Sequence, residues 1–311
     1  MFESIQNGLS IFGESVRILF KYPKFAVPLL VTWCILAPLT IYLRFMFPWE
    51  NYPPLFLILI IFGTIYLCSF LFSLSCVILL ELIRQHETGG DLRLGKALIE
   101  TIQKDLPGIL VIAFVWAIVW FILSVLKVLT SRKRGGYRHV PSPQEAATVL
   151  AGGGGVFSWL NLGISFFQKL VRMTVFLVLP AIAWEHKGPF NAIRRGLHVL
   201  REDAGEFLTV YAGTGVAEAI IYLPAIIAVK FIGQAPDIFW YGVIIYTACA
   251  WTFSMYLEQM SVALLFLWHK KWEVSMQDAE KNGKSLPQLG EVPMPSLLSD
   301  TTDLMANPEE H

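Results

Sequence analysis

The sequence predicts an all-α polytopic membrane protein with six transmembrane helices. They are arranged as three repeats of an interfacial helix followed by a helical hairpin. Three observations carry this. Of 311 residues, 55% are apolar and only 15% are charged, against roughly 25% in ordinary soluble domains. Six stretches are long enough to cross a bilayer, which takes about 20 residues. Amphipathic helical patterns precede the first, third and fifth of these stretches.

The expected spans are Phe25–Phe47, Leu55–Leu80, Leu106–Leu129, Val156–Trp184, Phe207–Phe231 and Ile238–Trp268. In lipid every backbone polar group must be paired within the segment, so each is expected to be helical. The first and third hairpins close through "FPWENYPP" and "GQAPD", short turns rich in Pro, Gly and Asn. The middle connection, Thr130–Gly155, is longer. Its glycines Gly152–Gly155 have no following GK[ST], so a joint is expected there and not a phosphate loop. Residues 1–25 carry charges throughout and lack a short apolar core with a small-residue cleavage site. The first span is therefore expected to act as its own insertion signal.

Before the third pair, Phe190, Ile193, Leu197 and Leu200 fall on one helical face, and Arg194, Arg195, His198, Arg201 and Glu202 occupy much of the rest. Before the first span, Ile5, Leu9, Phe12, Val16 and Leu19 form such a stripe. Before the third span Leu94, Leu98 and Ile102 do, flanked by Arg93, Lys96 and Lys104. Helices of this kind lie in the headgroup plane with cations toward anionic lipid. The segments "ILFKYPKFAV", "ETIQKDLPGIL" and "HVLREDAGEFL" align, which marks three units at about 2–83, 91–184 and 189–270 within a membrane domain 1–270. Residues 271–311 are polar and hold four prolines. They read as a largely disordered cytoplasmic tail, with a short helix allowed as far as Ala279, and a protein partner is possible there.

Lys and Arg concentrate on the termini and on the second and fourth connections, which predicts a bacterial cytoplasmic membrane protein with both termini inside. Arg132, Lys133, Arg134 and Arg138 oppose that rule. With Gln168, Lys169, Arg172 and Pro180 inside the fourth stretch, a broken or re-entrant segment is the alternative there.

Formal net charge is zero, which gives no electrostatic reason to expect nucleic acid as a partner. Membrane lipids, anionic ones above all, are the expected partners. Cys34, Cys68, Cys76 and Cys249 lie in apolar stretches without CxxC spacing and are expected to be small buried hydrophobes. No HExxH, GxSxG, Walker A or dinucleotide fingerprint occurs, so no catalytic residue, metal or cofactor is expected. The informative residues are charges inside spans. Arg172, Glu218 and Glu258, with Lys169, are expected at similar depth and facing the bundle interior, because ionised groups are costly in lipid. Around Glu218, "AGTGVAEA" puts Gly213 and Ala217, then Gly215 and Ala219, four apart, a face that allows close helix approach. Two readings follow: a non-enzymatic component organising lipid or partner proteins, or a small-solute, lipid or ion transporter that uses the buried charges.

The segments "GGDLRLGKAL" (Gly89–Leu98) and "FLVLPAIAWEHKGPFNAIRRGLHVLRED" (Phe176–Asp203) resemble a family of uncharacterised six-span prokaryotic integral membrane proteins, a domain of unknown function. They are distantly similar to the membrane domain attached to some glycerophosphodiester phosphodiesterases. Pro180, Glu185, Gly188, Pro189, Ala192 and Arg194–Arg195 carry the likeness, which covers most of residues 1–270. Arg172 stands near where the resemblance leads one to expect an aromatic or apolar residue. The resemblance implies architecture and supplies no activity or catalytic residues.

Overall fold

The computed structural model describes residues 2–48, 51–88, 92–132, 159–228, 231, 236–283 and 285–294. Among them are nine α-helices: α1 (Phe2–Lys21), α2 (Val27–Ile41), α3 (Pro54–Glu87), α4 (Leu94–Lys104), α5 (Leu106–Arg132), α6 (Trp159–Ala183), α7 (Pro189–Glu202), α8 (Ala204–Ala228) and α9 (Asp237–Lys281). Proline opens α3 and α7, where its missing N–H leaves no hydrogen bond unmade. Pro38 lies inside α2, which ends in a π turn where the Phe47 N–H bonds the Tyr42 carbonyl at 3.0 Å.

Among the described residues, five helical segments are long and apolar enough to cross a membrane: Pro23–Ile41, Pro54–Glu87, Leu106–Leu126, Phe166–Ala183 and Ala204–Ala228. By helix length and hydropathy this is a multi-pass membrane protein. The sixth expected span, Ile238–Trp268, lies inside the 45-residue α9, and its described residues do not meet the same measure. Glu258, Gln259 and a run of Ser, Thr, Tyr and Trp dilute its hydropathy. No residue from Met255 to His269 is more than 2% exposed. That half of α9 is the central pillar, and α1, α2, α6 and α8 pack around it. A helix walled in by protein can carry polar groups that a lipid-facing helix cannot. Phe72, Trp116, Phe176 and Trp251 knit α3, α5, α6 and α9 together, with Phe72 5.0 Å from Trp251 and 5.8 Å from Trp116 between centroids.

The three amphipathic helices do not simply lie apolar face down. Each packs one stripe on protein and carries its bulky apolar stripe one residue later, about 100° round the helix. In α1 the buried residues Gly8, Ile11, Ser15 and Ile18 precede Leu9, Phe12, Val16 and Leu19. In α4, Ala97 and Thr101 precede Leu98 and Ile102. In α7, Ala192, Gly196 and Val199 precede Ile193, Leu197 and Leu200. Small residues recur in the buried stripes, among them Gly8, Ala97, Ala192 and Gly196, where the helices approach closely. A Cβ on Gly196 would sit 2.7 Å from Val178 Cγ2 and 3.1 Å from its Cα. The α1 stripe seats on α8 and α9, α4 on α3, and α7 on α6. Ser15 donates to the Ile11 carbonyl at 2.8 Å, so its contact of 2.9 Å with Ser261 must be donated by Ser261.

Several expectations are corrected. The helix expected to stop by Ala279 runs to Lys281, and residues 285–294 fold back on the bundle. Trp268 Nε1 donates to the Val292 carbonyl and Trp272 Nε1 to the Pro287 carbonyl, both at 2.8 Å, and Val292 is buried. The disordered reading therefore does not hold over 271–283 and 285–294. Residues 295–311 and the connection 133–158, with Lys133, Arg134 and Arg138, lie outside the described residues. Of the cysteines only Cys76 is buried, while Cys34 and Cys249 are exposed and Cys68 is partly covered. After α6 the chain turns through His186 in the left-handed region (φ 46°), and Gly188 follows with φ −58°. The Lys187 N–H closes the turn on the Ala181 carbonyl at 3.1 Å.

Candidate functional site

Lys169 and Arg172 are three residues apart on α6 and share a face. That face meets Glu218 of α8 and Glu258 of α9. Arg172 grips Glu258 with both arms of its guanidinium, Nε to Oε2 and Nη2 to Oε1, each at 2.7 Å. Lys169 Nζ lies 3.1 Å from Glu258 Oε1 and 3.1 Å from Glu218 Oε2, and so bridges the two carboxylates. Arg172 Nη2 is 4.0 Å from Glu218. The four expected charges are thus brought into one neutral quartet, graded in depth. The Glu258 side chain is fully buried, and that of Glu218 is 31% exposed. Gly215 makes room for the ammonium, since a Cβ there would stand 3.4 Å from Lys169 Nζ. Gly213 serves a different neighbour, Phe12 of α1, so the small face of α8 is divided between two partners.

A pocket of about 440 Å³ opens on the quartet. It is lined by Trp120, Phe166, Gln168, Lys169, Arg172, Tyr211 and Glu218. The volume is that of a small-molecule site. The Tyr211 hydroxyl donates to the Phe166 carbonyl at 3.2 Å, and its ring centroid is 5.3 Å from the Lys169 ammonium, within cation–π range. One wall therefore offers cations, another a carboxylate, and the rest aromatic surface. That combination suits a molecule with both charge signs.

A second polar cluster lies past the apolar stretch of α9. His269 Nδ1 donates to Asp203 Oδ2 at 2.8 Å, and its Nε2 lies 3.3 Å from Glu273 Oε1. Arg195 clamps both oxygens of Glu273 and reaches Glu185 at 3.4 Å. Burial pulls the His269 imidazole down, but the Asp203 and Glu273 carboxylates outweigh it and lift the group to about 9. Burial likewise pushes Glu273 up, while Arg195 and His269 hold it down at about 2. A third cluster joins Glu81, Arg84 and Glu100, with Arg84 2.9 Å from Glu81 and 3.5 Å from Glu100. Arg84 Nη1 is 3.4 Å from His186 Nε2, and His186 Nδ1 is 3.4 Å from Asp105.

The expected lipid-facing cations divide. Arg194, Arg201, Arg93, Lys96 and Lys104 are exposed, with Lys96 3.7 Å from Glu100. Arg195 is a correction. Its side chain is only 12% exposed because Glu185 and Glu273 draw it into the bundle. Sequence reading also missed His269, Glu273 and Asp203 as a cluster. The available signal was the four-residue spacing of His269 and Glu273 on one helix face, but Asp203 and Arg195 come from elsewhere in the chain. No protein-family model, no curated protein and no solved structure matches this chain.

Proposed function

We propose that this protein is a non-enzymatic component of a bacterial cytoplasmic membrane that organises lipid, or partner proteins, at the cytoplasmic face. One observation carries the reading. In all three amphipathic helices one stripe holds the bundle, and the stripe one residue further round leaves at least one bulky apolar side chain exposed. The exposed members, among them Leu9, Leu98, Ile102 and Leu197, sit beside the exposed cations Arg194 and Arg201 on α7 and Lys104 on α4. Apolar surface next to cations is what a leaflet of anionic lipid receives.

The three-unit, six-span architecture belongs to the same reading. It draws support from a contact that recurs at the end of each amphipathic helix. Tyr22 lies 4.5 Å from the His86 ring, Asp105 meets His186 at 3.4 Å and Asp203 meets His269 at 2.8 Å. Tyr22, Asp105 and Asp203 occupy the same place in the three aligned segments. The family resemblance in Gly89–Leu98 and Phe176–Asp203 points the same way, as does the basic-residue asymmetry for cytoplasmic termini.

The test is lipid retention by the full-length protein, read by native mass spectrometry from mixed phosphatidylglycerol and phosphatidylcholine micelles. Each surface cation contributes about 1 kcal/mol toward anionic lipid. Arg194→Glu with Arg201→Glu should therefore cost at least about 2 kcal/mol, roughly thirtyfold in phosphatidylglycerol preference. An unchanged preference refutes the proposal. The second reading, transport of a small solute, lipid or ion, is favoured by the pocket on the charge quartet. Solute-driven uptake into proteoliposomes that Glu218→Gln abolishes would establish it instead.

A further inference from the structure

We propose that His198, His269 and Glu273 form a binding site for a divalent transition-metal ion of the zinc type. His269 and Glu273 lie four residues apart on one face of α9, and His198 comes from α7. The three ligand atoms all fall within 4.8 Å of one another. The His198 and His269 rings stand nearly perpendicular, at 88°, with centroids 5.8 Å apart.

The His269 ring is prepared for this. Its Nδ1–H is committed to Asp203, an acceptor-only carboxylate, at 2.8 Å. That fixes the tautomer in which Nε2 of the neutral ring presents a lone pair. Nε2 is buried and makes no well-formed hydrogen bond, although Glu273 Oε1 lies 3.3 Å away. A buried imidazole with one nitrogen held by a carboxylate and the other left free is the usual outer-shell arrangement of a metal-binding histidine. Four ligands at about 2.0–2.1 Å from a tetrahedral ion stand roughly 3.3 Å from each other, the spacing that Nε2 and Oε1 already have. Only the exposed His198 must turn inward, and its exposure leaves a fourth position open to water.

Charge and ligand type narrow the ion. Two imidazoles and one carboxylate suit zinc and its neighbours, whereas magnesium and calcium need oxygen ligands. Glu273 and Asp203 supply two negative charges around a divalent ion. Arg195 opposes the ion electrostatically, and the ion must take Oε1 while Arg195 keeps Oε2.

The experiment is a zinc titration of the chelator-stripped, full-length protein by calorimetry. One saturable site is expected. Cobalt should give the intense visible bands of a tetrahedral site, and millimolar magnesium or calcium should not compete. His198→Ala changes an exposed side chain and should weaken zinc by more than about tenfold. His86→Ala should leave it unchanged. Zinc affinity equal in wild type and His198→Ala overturns the proposal, as does no saturable binding below about 1 mM. Either result leaves the cluster a histidine–carboxylate clasp that holds no metal.

Discussion

Replacing Arg172 with leucine tests whether the intramembrane charges act as one unit. Arg172 supplies both 2.7 Å contacts to Glu258, a side chain with no exposure at all. Removing one partner of a buried pair costs about 3–5 kcal/mol, because the other charge is left in a low-dielectric interior. Here Lys169 keeps its 3.1 Å contact with Glu258, which puts the expected loss near the lower end, about 3 kcal/mol. The structure also ranks the rescues. Arg172→Leu with Glu258→Leu leaves Lys169 on Glu218 at 3.1 Å, a neutral pair with no stranded buried carboxylate. Most of the loss should return. Arg172→Leu with Glu218→Leu is equally neutral, yet it leaves fully buried Glu258 without its bidentate partner, so less should return. Unfolding of the purified protein in mixed micelles by a denaturing detergent measures each variant. A coupling between positions 172 and 258 below about 0.5 kcal/mol, the range of ordinary additivity, refutes the pairing.

Three further outcomes are expected. Gly196→Ala drives a methyl into Val178 backbone atoms and should cost about 1–3 kcal/mol. Gly95→Ala, with nothing within 4 Å of the new carbon, should be neutral or stabilising by up to about 1 kcal/mol, and equal losses at both sites would rule out the close approach of α6 and α7. In the presence of chelator, the His269 cluster should shape stability against pH. The imidazole is raised from 6.5 to about 9, so its contribution, at most about 3 kcal/mol, is complete below pH 6.5 and is lost as pH rises through 9. Glu273 is lowered from 4.5 to about 2, so its contribution is complete above pH 4.5 and is lost as pH falls through 2. The unfolding midpoint should fall on the alkaline side in the wild type and not in His269→Gln, and parallel curves would show that the cluster does not titrate this way. In a cysteine-free background, cysteines at Ser285 and Asn51 should label from opposite sides of the membrane, and labelling of both from outside would contradict the cytoplasmic tail.

The sequence by itself determined the helical membrane class, because only helices satisfy the backbone within runs of apolar residues. It also located the three amphipathic helices and the charges Lys169, Arg172, Glu218 and Glu258, since periodicity and a charge in a greasy run are local signals. It could not say which carboxylate Arg172 takes, nor that Lys169 bridges two of them, because those choices depend on how α6, α8 and α9 are rotated. Arg195 looked like one more surface cation until Glu185 and Glu273, distant in the chain, enclosed it. Residues 285–294 looked like tail because their anchors are backbone carbonyls that accept from Trp268 and Trp272, a bond no side-chain pattern announces. The deepest limit is physical. Lipid tails are as apolar as a protein core, so hydropathy cannot tell a face that meets lipid from one that meets a neighbouring helix. Hence the enclosed stretch Met255–His269 of α9 carries Glu258 and Gln259, which its burial allows and a hydropathy reading does not foresee. For the same reason, only the tertiary structure decided that Gly8, Ala97 and Gly196 meet protein while Leu9, Leu98 and Leu197, one residue further on, stay exposed.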